Sequence, residues 1–129
     1  MTRDPGPEGA ERPSSLELGR SGERAAVDLL RAKRFQIVET GWRFGRGEID
    51  IVARDGPVLV FVEVKTRRGR AFGSPEEAVT AAKQRQIRKI AQAYLVRRRI
   101  RGVRCRFDVV AVETEPGRPP VLRHIPNAF

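Results

Sequence analysis

The chain holds one cysteine, Cys105, which excludes an internal disulfide and any site built from several thiolates. Its one histidine, His124, has no cysteine or second histidine beside it in sequence, so a zinc set is not expected. Apolar runs are short. The longest, 58–62, falls far below the roughly 20 residues that span a bilayer. No charged segment followed by an apolar core opens the sequence, and a cytoplasmic protein is expected. Aromatic residues make up 6% of the chain, with one Trp and one Tyr. That is too few for a row of base-stacking platforms, so Trp42 is read as core. Acids are scarce relative to bases. The formal net charge of +10 over 129 residues makes an anionic partner the expectation, nucleic acid first. No basic amphipathic stretch carries bulky aromatic anchors, which speaks against a membrane surface.

Residues 1–15 combine Pro5, Pro7 and Pro13 with scattered charges and no apolar period, and are expected to be a disordered N-terminal tail. Residues 16–129 have the length of one domain with one core. Ala26, Leu29, Leu30 and Phe35 predict an amphipathic helix ending near Lys33-Arg34, starting either from Ser21 as N-cap, with Glu23 in its first turn, or a turn earlier. Residues 35–40 and 42–44 read as a strand jointed at Gly41. Ser74-Pro75-Glu76-Glu77 is a helix start with a capping box. Ile87, Ile90, Ala91, Tyr94 and Leu95 carry that helix to about Arg98, and Thr80 is a point where it divides. Residues 107–112 and 121–125 read as two further strands. This order predicts an α/β domain in which helices flank a mixed central β-sheet.

The stretch 47–67, GEIDIVARDGPVLVFVEVKTR, reads as two strands and a turn. By period two, Ile49 and Ile51 point one way and Glu48, Asp50 and Val52 the other. In the second strand Val58, Val60, Val62 and Val64 share one face, and Leu59, Phe61, Glu63 and Lys65 the opposite one. Apolarity on both sides marks this as a central strand. A two-residue Gly56-Pro57 loop sets Asp50 opposite Glu63 and Glu48 opposite Lys65, which gathers four ionisable residues on one face. Two carboxylates at cross-strand distance repel unless a cation or a shared proton lies between them. Magnesium or manganese would suit Asp50, Glu63 and the carbonyl of Val64, with phosphate oxygens and water completing the shell. Lys65 would then hold the attacking water or stabilise charge on the phosphate. On the residues alone, a solvated hairpin face stands level with this metal site. Leu59 and Phe61, which precede Glu63 on its own face, favour the edge of a cleft. Glu23 is open in the same way, since an acid in the first turn of a helix already suits the macrodipole.

Several motifs in one order resemble a known family: GERAAVDLL from Gly22, GEIDIVARDG from Gly47, FVEVKTR from Phe61, FGSPEEAV from Phe72, RFDVVAV from Arg106 and the C-terminal HIPNAF. Together they are similar to the bacterial YraN-type family and, beyond it, to the PD-(D/E)xK or restriction-endonuclease-like superfamily and the archaeal Holliday junction resolvases. The resemblance covers residues 18–129. It implies a restriction-endonuclease-like fold and Mg2+- or Mn2+-dependent cleavage of DNA, including branched recombination and repair intermediates. By the same resemblance, Asp50 and Glu63 match the metal-binding acids, Lys65 the catalytic lysine, and Glu23 an acid on the first helix. Ile49 stands where the superfamily's name places proline. A two-fold homodimer would suit a symmetric junction, as in the resolvases.

From Lys83 to Arg106 there are ten Lys or Arg and no Asp or Glu. Solvated helix faces account for many such runs, yet a cluster this dense repels itself until an anion relieves it. Phosphate contacts are expected from Arg43 and Arg46 in the first turn, from Arg67, Arg68 and Arg70 after Lys65, and from Lys83, Gln84 and Arg88. Asp108 is read as paired with a neighbouring arginine rather than as part of the site. The alternative from another class is a nucleic-acid-binding module that keeps this fold without catalysis. A divalent ion between Asp50 and Glu63 would mark the enzyme, and an Asp50–Arg ion pair the binder.

Overall fold

The strand predicted to be central, Val58–Arg68, lies third of five in one mixed sheet. The structure is a computed structural model and describes residues 15–69 and 79–129. In chain order the elements are α1 (Ser15–Ala32), β1 (Gln36–Phe44), β2 (Gly47–Asp55), β3 (Val58–Arg68), α2 (Ala81–Arg97), β4 (Cys105–Thr114) and β5 (Val121–Ile125). The sheet runs β1-β2-β3-β4-β5. β1, β2 and β3 form an antiparallel meander, β3 and β4 pair in parallel, and β5 returns antiparallel to β4. A parallel pair requires a crossover, and α2 lies within it.

Each face of the sheet is covered by one helix, which is why the central strands are apolar on both sides. Under α2 lie Leu59, Phe61, Val109 and the helix residues Ile87, Ile90, Ala91 and Tyr94. Under α1 lie Val60, Val62, Val110, Val112, Ala26 and Leu30. The alternation read for β3 therefore holds. Full burial of one such Val, Leu or Phe side chain contributes about 1.5–3 kcal/mol, so the two layers hold β3 from both sides.

One helix boundary shifts, and the division read at Thr80 is present as a cap. α1 begins at Ser15 rather than at a cap on Ser21, because Gly19 and Gly22 interrupt the apolar period without ending the helix. The capping box at Ser74 lies outside the described residues. Thr80 is itself a cap: its side chain accepts the Lys83 N–H at 3.1 Å, and α2 starts at Ala81. Gly22 faces Thr66 so closely that a Cβ there would stand 2.1 Å from the threonine Oγ1. Only glycine lets α1 approach β3 at this point, and Glu23 is the next residue.

Candidate functional site

The β2–β3 register is the expected one, running from Asp55↔Val58 to Ile51↔Val62. The facing of residues beyond it is not. Ile49 packs with Val52 in the layer under α2, whereas Ile51 packs under α1, so the alternation breaks between Ile49 and Ile51. β1 breaks with it. Its pairs run Thr40↔Ile51 and then Trp42↔Ile49, which leaves Gly41 and Asp50 facing each other unpaired. Gly41 has a φ of 65°, open to glycine and costly for other residues. Both strands turn over at this point. Glu48 therefore faces α1, Glu63 and Lys65 face the α2 side, and Asp50 sits at the turnover between the two, so the four residues do not share one face as the simple period predicted.

The acids meet at the gap this opens. Asp50 Oδ2 accepts the Val64 N–H at 2.8 Å, so the side chain takes an amide of the neighbouring strand and lies in the plane of the sheet. Glu63 reaches it from one side, and its hydrogen bond to Asp50 is among the causes that perturb the aspartate. Glu23 and Glu48 reach it from the other, with one carboxylate oxygen of each of Glu23, Glu48 and Asp50 within 4.8 Å of the others. Burial, then the Glu63 carboxylate, push Asp50 up to about 8 from 3.8. Burial, then Asp50 and Glu48, push Glu23 up to about 6. Glu23 lies in the interior of an 18-residue helix, too far from its N-terminus for the macrodipole to account for it.

Glu63 is buried, and its Oε2 has no hydrogen-bond partner. Lys83 Nζ, from the first turn of α2, stands 3.5 Å from that oxygen, near enough for an ion pair without making a hydrogen bond. Lys65 is exposed, so the cation that reaches Glu63 here is Lys83. Among the described residues no arginine fills the place beside Asp50.

The expected phosphate-binding residues lie on several elements. Arg43 is exposed and stands 3.6 Å from Glu48, and Arg46 is exposed on the β1–β2 turn. Arg67 and Arg68 end β3, and Arg70 lies outside the described residues. Gln84 is occupied in part, donating from Nε2 to the Val79 carbonyl at 3.0 Å. Arg88 lies over the rings of Phe107 and Phe129 at 4.8 and 5.6 Å. Trp42 packs edge-on against Tyr94 and parallel to Phe44, as a core residue does. Glu48 was read on the site's face, opposite Lys65, but was given no role. The strand turns over beside it, so its spacing of two from Asp50 did not foretell that the two carboxylates would meet Glu23.

A second polar cluster lies apart from the acids. Asp108 is fully buried and accepts from Arg106 Nε at 2.8 Å and Arg106 Nη2 at 3.0 Å. His124 Nε2 lies 2.7 Å from Asp108, and the Lys33 ammonium donates to His124 Nδ1 at 2.9 Å, which leaves Nε2 to donate. Burial alone would raise Asp108, but hydrogen bonds from His124, Arg106 and the Asn127 N–H hold it at about 2. This is the arginine pairing expected of Asp108, extended by a histidine.

Residues 22–112 match the family model described as "Uncharacterised protein family UPF0102". A UPF0102 protein of Symbiobacterium thermophilum is 52% identical over 115 residues, covering 89% of this chain and 98% of the relative. One of Geobacter metallireducens is 50% identical over 112 residues, covering 87% and 91%, and one of Rhodococcus jostii is 46% identical over 115 residues, covering 89% and 98%. No described helix is long and apolar enough to cross a membrane.

Proposed function

The chain belongs to the UPF0102 family, and from that premise and the geometry of the acids we propose that it is a divalent-metal-dependent endonuclease hydrolysing DNA phosphodiester bonds. The proposal includes kinship with the PD-(D/E)xK nucleases, with which the motif order agrees. The carrying observation is the buried Glu63 Oε2 that lacks a hydrogen bond beside an aspartate pushed up to about 8. Carboxylates this close are relieved by a shared proton or by a cation, and a divalent ion would displace the proton. Asp50 and Glu63, with the Val64 carbonyl, would hold Mg2+ or Mn2+, and Glu23 and Glu48 stand beside them. The ion would polarise a phosphoryl oxygen and acidify a bound water.

The chain's own residues supply the rest. Asp50 is fixed by the Val64 amide, so its free oxygen has a defined direction. Glu23 shares its charge with Asp50 and is poised to take a proton near neutral pH. Lys83, 3.5 Å from Glu63, would be available to meet a phosphate were Glu63 to hold an ion. Lys65, exposed two residues beyond Glu63, is placed to stabilise negative charge on the substrate side. The test is cleavage of a panel of branched, single-stranded and duplex DNAs with and without Mg2+ or Mn2+. Glu63→Gln and Lys65→Ala should bind DNA comparably to wild type and cut at least about a hundredfold more slowly. Binding by wild type without cleavage anywhere in the panel would assign the chain instead as a nucleic-acid-binding module.

A further inference from the structure

The C-terminal end of α2 carries a feature that phosphate binding does not explain. The last turns of the helix and the loop after it enclose a groove of about 720 Å3 lined by Gln92, Leu95, Val96, Arg99, Ile100 and Arg101. Leu95 and Ile100 pack partly into the core below, and Val96 is 69% exposed. The helix closes with Ile100 N–H donating to the Leu95 carbonyl at 2.9 Å and Arg99 N–H to that of Val96 at 3.2 Å. This pattern sets one residue in the left-handed conformation, where glycine is the usual occupant. Here it is Arg99, with a φ of 55°, so a long cation is held at the groove's rim at a backbone cost that glycine would avoid. Arg101 is the second cation of the rim. Neighbouring arginines are engaged, Arg97 over the Phe44 ring and Arg98 on both oxygens of Glu39.

We propose that this groove docks an acidic peptide segment of another protein, with one or two apolar side chains seated on Leu95, Val96 and Ile100 and its carboxylates on Arg99 and Arg101. Charge complementarity selects the occupant. A second copy of this chain, at +10, would be repelled. A phosphate backbone would be served by the arginines but gains nothing from an exposed valine between them, whereas an apolar anchor inside a polar rim is how peptide interfaces obtain affinity. Val96 lies 13 residues beyond Lys83, about 20 Å along the helix axis, so the groove and the acidic site can be occupied together.

Fluorescence anisotropy on the full chain tests this, using a fluorescein-labelled ten-residue peptide of Asp and Glu with one Leu and one Phe, and a control with Ser at both apolar positions. The acidic apolar peptide should bind at least about tenfold more tightly than the Ser control. Val96→Ser and the pair Arg99→Ala/Arg101→Ala should each weaken it about tenfold, about 1.4 kcal/mol. Val96 is exposed enough that a melting curve should show Val96→Ser folded, and its affinity for a short DNA duplex should stay within about twofold of wild type. Glu63→Gln should leave peptide binding unchanged, which separates this surface from the proposed nuclease site. Equal binding of both peptides, no effect of Val96→Ser, or a matching loss of duplex binding in these variants would overturn the proposal, the last by making the surface one for nucleic acid.

Discussion

Replacing Asp50 by Asn should stabilise the metal-free protein, and increasingly so as pH rises. In wild type the folded state holds a proton on Asp50 up to about pH 8, whereas an unfolded aspartate releases it near 3.8. The stability this provides is complete below about pH 4 and is lost as pH climbs towards 8, opposite to the usual carboxylate. At about 1.4 kcal/mol per pH unit the full displacement, which arises from burial and then from the Glu63 carboxylate, is worth about 6 kcal/mol. Asn reproduces the protonated form: its oxygen can accept the Val64 N–H and its NH2 can donate to Glu63. Urea unfolding in EDTA at pH 5, 7 and 9 should therefore show little difference between Asp50→Asn and wild type at pH 5 and several kcal/mol in favour of the variant at pH 9. Saturating Mn2+ should raise the stability of wild type and not of the variant. A variant less stable than wild type at pH 9, or a difference that does not change with pH, would refute the argument that the carboxylates repel.

Three further outcomes follow from other parts of the molecule. Gly22→Ala should cost about 1–3 kcal/mol, because its Cβ would meet Thr66 Oγ1 at 2.1 Å. Thr66→Ala should recover part of that loss in a double-mutant cycle measured by thermal melts. Asp108→Asn should destabilise by about 1–3 kcal/mol, since it weakens charge-assisted hydrogen bonds from Arg106 and His124 while Arg106 keeps Asp55 as a charge partner. Because Asp108 is held below its usual range, its contribution is present above about pH 4 and is lost as pH falls towards 2, which acid titration of the folded signal checks. DNA affinity should fall with salt at a log-log slope of several, about 0.9 per neutralised phosphate on duplex. A slope near zero would remove the basic surface from the binding reaction.

Much of the fold was legible because local signals and tertiary environment agree. β5 has the bounds read for it, and Gly41 marks a joint because glycine interrupts two apolar runs at the place where backbone freedom is needed. β3 was placed at the centre because nothing but burial on both sides explains its sequence. The structure brings Asp50, Glu63 and Glu23 together, but in an arrangement that the period did not predict. Period two assumes that a strand keeps its facing, and the residues around Asp50 suit either face until the paired turnover with β1 is seen. Lys83 could not be joined to Glu63 from sequence, since that contact depends on where α2 lies across β3. α1 starts even before the earlier of the two positions read for it, because Ser21 is a good cap that the helix runs through.

The meander that brings Asp50 to Glu63 is local in the chain, with Val64 only 14 residues beyond Asp50. The parallel pairing of β3 with β4, which joins Leu59 to Cys105, waits on a far longer loop closure. Short closures are met first and long ones set the pace of folding. The like charges of the site are therefore forced together early, in a hairpin that does not yet have α2 or its Lys83. Protons or cations in the medium then act on the rate at which this chain folds as well as on the stability it reaches.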